Sequence, residues 1–198
     1  SIGVLGGMDG GVAPGTDAVA VGPGSQALAS RSVAVGNGAV ANNLANVAIG
    51  DRAVTDGFNS VSMGYSATAT GNFSLSVGGG SSATAARATA VGTDAKATGD
   101  NATAAGNTAL ASGVAASAFG DTARAQGERS LAVGANANVD AAARYGVALG
   151  RNAQVTETGI NAVAIGQGTV ANRADSVSVG TVGGERQIVN VRAATIDT

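Results

Sequence analysis

Three groupings in this 198-residue chain have residue types that could do chemistry. Gly36-Asn37-Gly38 and Gly166-Gln167-Gly168 have the look of dinucleotide loops. Val77-Gly78-Gly79-Gly80-Ser81-Ser82 has the look of a phosphate cradle, and the carboxylates Asp51, Asp94 and Asp121 could pair for acid–base work. Each fails on spacing. The first two lack a third glycine and a strand–turn–helix setting, and the glycine run lacks the Gly-Lys-Ser/Thr that binds phosphate. The acids lie a repeat or more apart and read as solvated turn residues. There is no histidine and no cysteine, which removes the near-neutral acid/base group, the commonest metal ligand and all thiolate or disulfide chemistry. The reading is therefore of a protein that is not an enzyme, with no catalytic, cofactor-binding or metal residues and no cofactor. Ten arginines and the single Lys96 are scattered among thirteen acids for a net charge of −2. A nucleic-acid partner would need a concentrated basic patch, so none is expected.

The glycines that frame these loops fall on a beat. Pentads such as Ser32-Val33-Ala34-Val35-Gly36 and Asn46-Val47-Ala48-Ile49-Gly50 recur, and from Gly22 to Gly134 the closing glycine returns eight times at intervals of 14 residues. Gly150, Gly166 and Gly180 follow at 16, 16 and 14. A fixed short period is the mark of a solenoid, whose unit buries its apolar face only by stacking on its neighbours. Composition agrees: 32 glycines and 3% aromatics leave too few large side chains for an ordinary core, while 44% apolar residues argue against disorder. No apolar run approaches the roughly 20 residues of a membrane-spanning helix, and no signal peptide opens the chain. The expectation is an excised piece of a longer protein.

Within the coil, two rows alternate with a third. Val19, Val33, Val47, Val61, Leu75, Leu131, Val147, Val163 and Val177 stand three residues before the glycine. Val21, Val35, Ile49, Met63, Val77, Val133, Leu149, Ile165 and Val179 stand one before it. On a strand these share a face, and they are expected to form the core. The residue between them is always small: Ala20, Ala34, Ala48, Ser62, Ser76, Ala90, Ala104, Ala118, Ala132, Ala148, Ala164, Ser178. This row points the other way and is expected to meet a second copy of the chain. A further alternation after the glycine, as in Ala39 and Ala41 or Ala109 and Ala111, supplies a second short strand, with a second turn near position seven. Twelve clear coils at about 4.8 Å each make a rod roughly 60 Å long, and residues 2–6 suggest a thirteenth, degenerate coil.

Irregularities carry expectations of their own. Thr89, Thr103 and Ser117 replace the valine, and as buried hydroxyls they would make that stretch the softest part of the rod. The two 16-residue coils should bulge as surface loops around Val139–Ala143 and Thr156–Ile160, where binding residues tend to sit. Phe58, Tyr65, Phe73 and Tyr145 are read as covering turns or packing between chains. Thr55, Thr68, Thr70, Thr84, Thr98 and Thr108 do not hold one position, which speaks against an ice-binding face.

The pentad on its 14-residue beat resembles the head repeat of YadA-like trimeric autotransporter adhesins, and Arg186-Gln187-Ile188-Val189-Asn190-Val191 resembles the start of their neck. The resemblance covers nearly the whole chain. It implies an all-β, left-handed parallel β-roll of about 12–13 coils, assembled as a homotrimer with three rods side by side. Residues 1–182 would be head and 183–198 neck transition, with Arg186, Ile188, Asn190 and Val191 as neck residues. It also implies export to the surface of a Gram-negative cell, with membrane contact only through a C-terminal anchor, and attachment to host matrix proteins or host cell surfaces. A structural spacer with the adhesive tip elsewhere is the alternative. Arg192-Ala193-Ala194-Thr195 departs from the small residues and glycine with which such necks continue.

Overall fold

The computed structural model describes residues 10–192. Every strand in it is short and parallel to its neighbours. Three-residue strands, from β1 (Val19–Val21) and β3 (Val33–Val35) to the two-residue β23 (Val177–Ser178), stack in sequence order as a twelve-stranded sheet. Two-residue strands, from β2 (Gln26–Ala27) and β4 (Val40–Ala41) to β22 (Val170–Ala171), form a second sheet of eleven. One strand of each per turn makes a β-solenoid of about eleven turns. Register follows the beat: Val19 pairs with Val33 and Ala20 with Ala34, and the 16-residue coils keep it by pairing Leu131 with Val147 and Val147 with Val163. Residues 2–6, the degenerate coil expected from sequence, lie outside the described residues.

The closing glycine is required twice over. Gly50 has φ +129°, and a Cβ there would stand 2.4 Å from the carbonyl oxygen of Gly64 in the next coil. Glycine recurs because coils one strand spacing apart leave no room for a side chain at this corner. Both turns also use a non-glycine residue in the left-handed region: Arg52 (φ 56°) and Ser66 (φ 52°) after the closing glycine, and Asn59 (φ 52°), Phe73 (φ 58°) and Tyr145 (φ 61°) in the second turn.

The interior inverts the expected rows. Ala20, Ala34, Ala48, Ser62, Ser76, Ala90, Ala104, Ala118, Ala132, Ala148 and Ala164 are fully buried inside their own coil, and Ser178 in the last strand is half-buried. They cannot be the row that meets a second chain. The rows expected to be core are half-buried or exposed on the outer face: Val19, Val33, Val47, Val61, Leu75, Leu131, Val147, Val163 and Val177, with Val21, Val35, Ile49, Met63, Val77, Val133, Leu149, Ile165 and Val179. Val21 is 45% exposed and Val177 66%. The reason is geometric. A three-residue strand turns its middle side chain one way and its two flanking ones the other. A 14-residue coil closes so tightly that only the single small residue fits inward, opposite the alanines of the second sheet such as Ala41, Ala97 and Ala111.

Thr89, Thr103 and Ser117 consequently face outward, and the stretch expected to be soft has an interior of alanine. The polar interior lies elsewhere, between the two alanine clusters that end at Ala53 and resume at Ala83. There the Asn46 amide donates to the Thr55 carbonyl (2.9 Å), and the Thr55 hydroxyl donates to the Val47 carbonyl (2.9 Å) while accepting from Ser62 (2.5 Å). Ser60 donates to the Gly71 carbonyl (2.7 Å) and accepts from the Ser74 amide (3.1 Å). Ser81 donates to the Gly78 carbonyl (2.8 Å), which leaves Ser76 as donor to Ser81 (2.7 Å). The Ser74 hydroxyl is the one buried hydroxyl of this segment without a partner. A closed network of this kind offsets the desolvation that a buried hydroxyl otherwise costs.

The 16-residue coils widen the tube. Their extra pairs, Ala141-Ala142 and Glu157-Thr158, form turns at the expected places. Inside, the alanine of the second sheet becomes Val139 and Val155, both fully buried, and Gly146 faces them: a Cβ there would lie 2.8 Å from Val139 Cγ1.

Candidate binding surface

A solenoid this narrow keeps its chemistry on the outside, on two sheet faces and two rows of turns. Because the period is 14, residues 13 to 16 apart in sequence become vertical neighbours. On one turn row the Arg52 guanidinium lies 5.7 Å from the Tyr65 ring centroid and donates to its hydroxyl at 3.1 Å. On the other, Arg129 stands 5.9 Å from the Tyr145 ring, and the Phe58 and Phe73 rings meet edge to face at 5.5 Å. All four rings are at least 40% exposed. Sequence reasoning named these rings but missed their partners, although the 13-, 15- and 16-residue separations were the available signal.

Amide–carboxylate rungs bridge adjacent coils: Asn42 donates to Asp56 (3.2 Å), Asn107 to Asp121 (2.8 Å) and Asn161 to Asp175 (2.8 Å). The carboxylates weighed for acid–base work are not brought together. Asp51 sits beside Arg52 at 3.5 Å, Asp121 accepts from Asn107, and Asp51 and Asp94 are three coil spacings apart, about 14 Å along the rod. The glycine loops at 36–38, 78–80 and 166–168 are turns between short strands, with no helix to present its amino end to a phosphate. Among the described residues no three His, Cys, Asp or Glu converge on a metal-sized site, and no helix is long and apolar enough to cross a membrane.

Of the expected threonine positions, Thr70, Thr84 and Thr98 do share one row: each donates its amide to the next coil's second-sheet alanine, Ala83, Ala97 and Ala111, and all are exposed. Thr55 is inside and Thr108 lies in a left-handed turn, so the row is three threonines long.

At the end of the rod Arg186 folds back on the last complete coil. Its guanidinium donates to Thr169 Oγ1 (2.6 Å), the Val179 carbonyl (3.0 Å) and the Gln167 carbonyl. Ile188 and Val191, by contrast, are about 70% exposed, and Asn190 is left-handed at φ 61°. Glu185 accepts from the Gly183 amide at 2.8 Å, which holds its carboxyl below the ordinary glutamate value.

The longest feature is the outer face of the first sheet, where two parallel rows are apolar in the first five and last four coils and carry Thr89, Thr103 and Ser117 between. The profile of the YadA head domain repeat matches residues 13–39, 56–81, 83–109, 111–137 and 158–181, more than half of the chain. This chain belongs to the YadA head family. That family is one of adhesin heads and not of enzymes. Among solved structures, the collagen-binding domain of the Yersinia adhesin YadA is similar at 24% identity and a TM-score of 0.40, over 94% of this chain and 78% of that one. No curated protein gave a match. The YadA head repeat accounts for the pentads and their glycines.

Proposed function

We propose that this chain is the head, with the beginning of a neck, of a trimeric adhesin displayed on a Gram-negative bacterium. In this reading three rods lie side by side, and together they attach the cell to host matrix proteins or host cell surfaces. The observation that carries the assembly is the outward apolar face. Val19, Val33, Val47, Val61 and Leu75, beside Val21, Val35, Ile49, Met63 and Val77, form one unbroken stripe on a single subunit. Exposed apolar patches of this extent mark a contact surface. Burying them at about 25 cal/mol per Å² supplies the apolar burial that an alanine-filled tube lacks. The contact row is thus the valine row and not the alanine row. Thr89, Thr103, Ser117 and Ala105 make the middle of that contact more polar. Residues 1–182 serve as head, and 183–198 as the transition in which Arg186 caps the last coil while Ile188 and Val191 offer apolar surface to sister chains.

Adhesion would act through multiplicity, since three copies per fibre and many fibres per cell convert weak contacts into avidity. The related Yersinia domain is described as collagen-binding, which makes collagen the first matrix protein to try. Two measurements test the reading. Mass in solution should be about three times 18.6 kDa, and a stable 18.6 kDa species would overturn the trimer. Coated collagen, fibronectin, laminin and cultured cells should retain the chain. Retention on none of them, with the complete fibre still adhering, would make this segment a spacer.

A further inference from the structure

The second sheet turns its outer face away from the apolar stripe, and over the widened coils that face carries an open hollow of about 640 Å³. We propose that this hollow binds an uncharged oligosaccharide carried on host glycoproteins. Its floor is Arg124, Asn138 and Gln154, in register on successive strands β16 (Arg124–Ala125), β18 (Asn138–Val139) and β20 (Gln154–Val155). Gln126, Asp140 and Asn152 also line it, with Thr108, Thr122 and Asn136 on the turn side. Five of the nine are amides.

The chemistry of the occupant follows by elimination. One cation, Arg124, is matched by one anion, Asp140, so neither an anionic polymer nor a polycation finds net attraction. No apolar side chain lines the hollow, which leaves a lipid or an aromatic peptide anchor nothing to fill. Strands β16, β18 and β20 are paired on both sides, so a peptide strand cannot add to the sheet here. What remains is a neutral molecule dense in hydroxyls. Amides and a carboxylate suit it because each offers donor and acceptor positions that adjacent hydroxyls can satisfy together.

Hydrogen-bonding capacity is also left over. Asn138 Nδ2 donates to Asp140 Oδ1 at 2.6 Å. The side chains of Arg124, Gln126, Asn152 and Gln154 make no hydrogen bond to the protein among the described residues, although Gln126 and Gln154 are half-buried. The lining spans three coil spacings, about 14 Å along the rod, the length of two or three sugar rings. The Ala141-Ala142 expansion begins directly after Asp140, so the irregularity in the beat stands at the edge of the hollow.

The choice of host glycoprotein glycans rests on the adhesin reading, but the test separates the two. The purified chain is applied to arrayed free oligosaccharides, neutral and sialylated, and to asialofetuin before and after enzymatic removal of its glycans. We expect retention on neutral glycans, loss of asialofetuin binding on deglycosylation, and a tenfold or greater loss in Asn138→Ala/Gln154→Ala with unchanged thermal unfolding. Thr70→Ala, on the same sheet several coils away, should bind as the parent does. Absence of any neutral glycan signal, binding that survives deglycosylation, a preference for sialylated glycans, or an unaffected double variant would each overturn the proposal. Failure on matrix proteins alone, with glycan binding retained, would instead count against the matrix reading.

Discussion

Substituting leucine for Ala104 tests the inverted interior directly. Ala104 is fully buried, with Ala90 and Ala118 stacked above and below it in register and Ala97 and Ala111 in the same core cluster. Three added carbons have no void to enter, because every neighbour is already the smallest side chain that fills the tube. Overpacking of this kind costs about 1–3 kcal/mol, and the upper end applies where hydrogen-bonded coils on both sides would have to separate. For a chain of 198 residues, each kcal/mol lowers Tm by about 2–4 °C, so Ala104→Leu should melt roughly 6–12 °C early. As a control on the outer face of the second sheet, away from the apolar stripe, Lys96→Ala at an exposed position should change stability by no more than about 0.5 kcal/mol. Circular dichroism melts at one fixed protein concentration read both, since association makes Tm depend on concentration. If valine rows filled the interior and the alanine row faced outward, Ala104→Leu would leave the fold's Tm as unmoved as Lys96→Ala. That outcome would refute the packing described above.

The hydroxyl network supports a second pair of variants. Ser74→Ala removes a buried hydroxyl with no partner and should be neutral or stabilising by about 1 kcal/mol, whereas Ser60→Ala leaves the Gly71 carbonyl and the Ser74 amide only their mutual 3.3 Å hydrogen bond and should cost about 1 kcal/mol, both read by thermal unfolding. Gly50→Ala should cost more than about 1 kcal/mol, because both the positive φ and the Gly64 carbonyl 2.4 Å away oppose a Cβ; slower amide exchange across coils 47–64 than in the parent would contradict this. Glu185 is held below its ordinary value by the Gly183 amide, so the turn it stabilises is intact above the unfolded carboxyl's pKa and is lost as pH falls through the lower folded one. The Gly183 amide resonance should follow that titration, and a midpoint at or above the ordinary glutamate value would contradict the hydrogen bond.

Much of the architecture could be read without coordinates because it is periodic. Fourteen residues between glycines set the coil and the parallel register, and the two 16-residue intervals located their bulges at Ala141-Ala142 and Glu157-Thr158. Individual pairings were harder. Arg52 with Tyr65 and Arg129 with Tyr145 depend on which residues of adjacent coils face each other at a turn, and a turn's left-handed residue rotates side chains in a way that composition does not encode. The hollow over Asn138 and Gln154 was likewise invisible, because its members are spread over separate coils and none is distinctive alone.

Sequence by itself determined that the chain repeats, that it stacks in parallel, that it carries no histidine or cysteine chemistry, and that its pentads are those of a YadA head. It could not determine which face of the strand is inside. Alternation states that valine and alanine point opposite ways, and habit assigns the larger to the core. Only closure of the coil decides the matter: two sheets held apart by tight glycine turns leave space for a single methyl per strand, so alanine fills the tube and valine is left on the surface to be covered by something else.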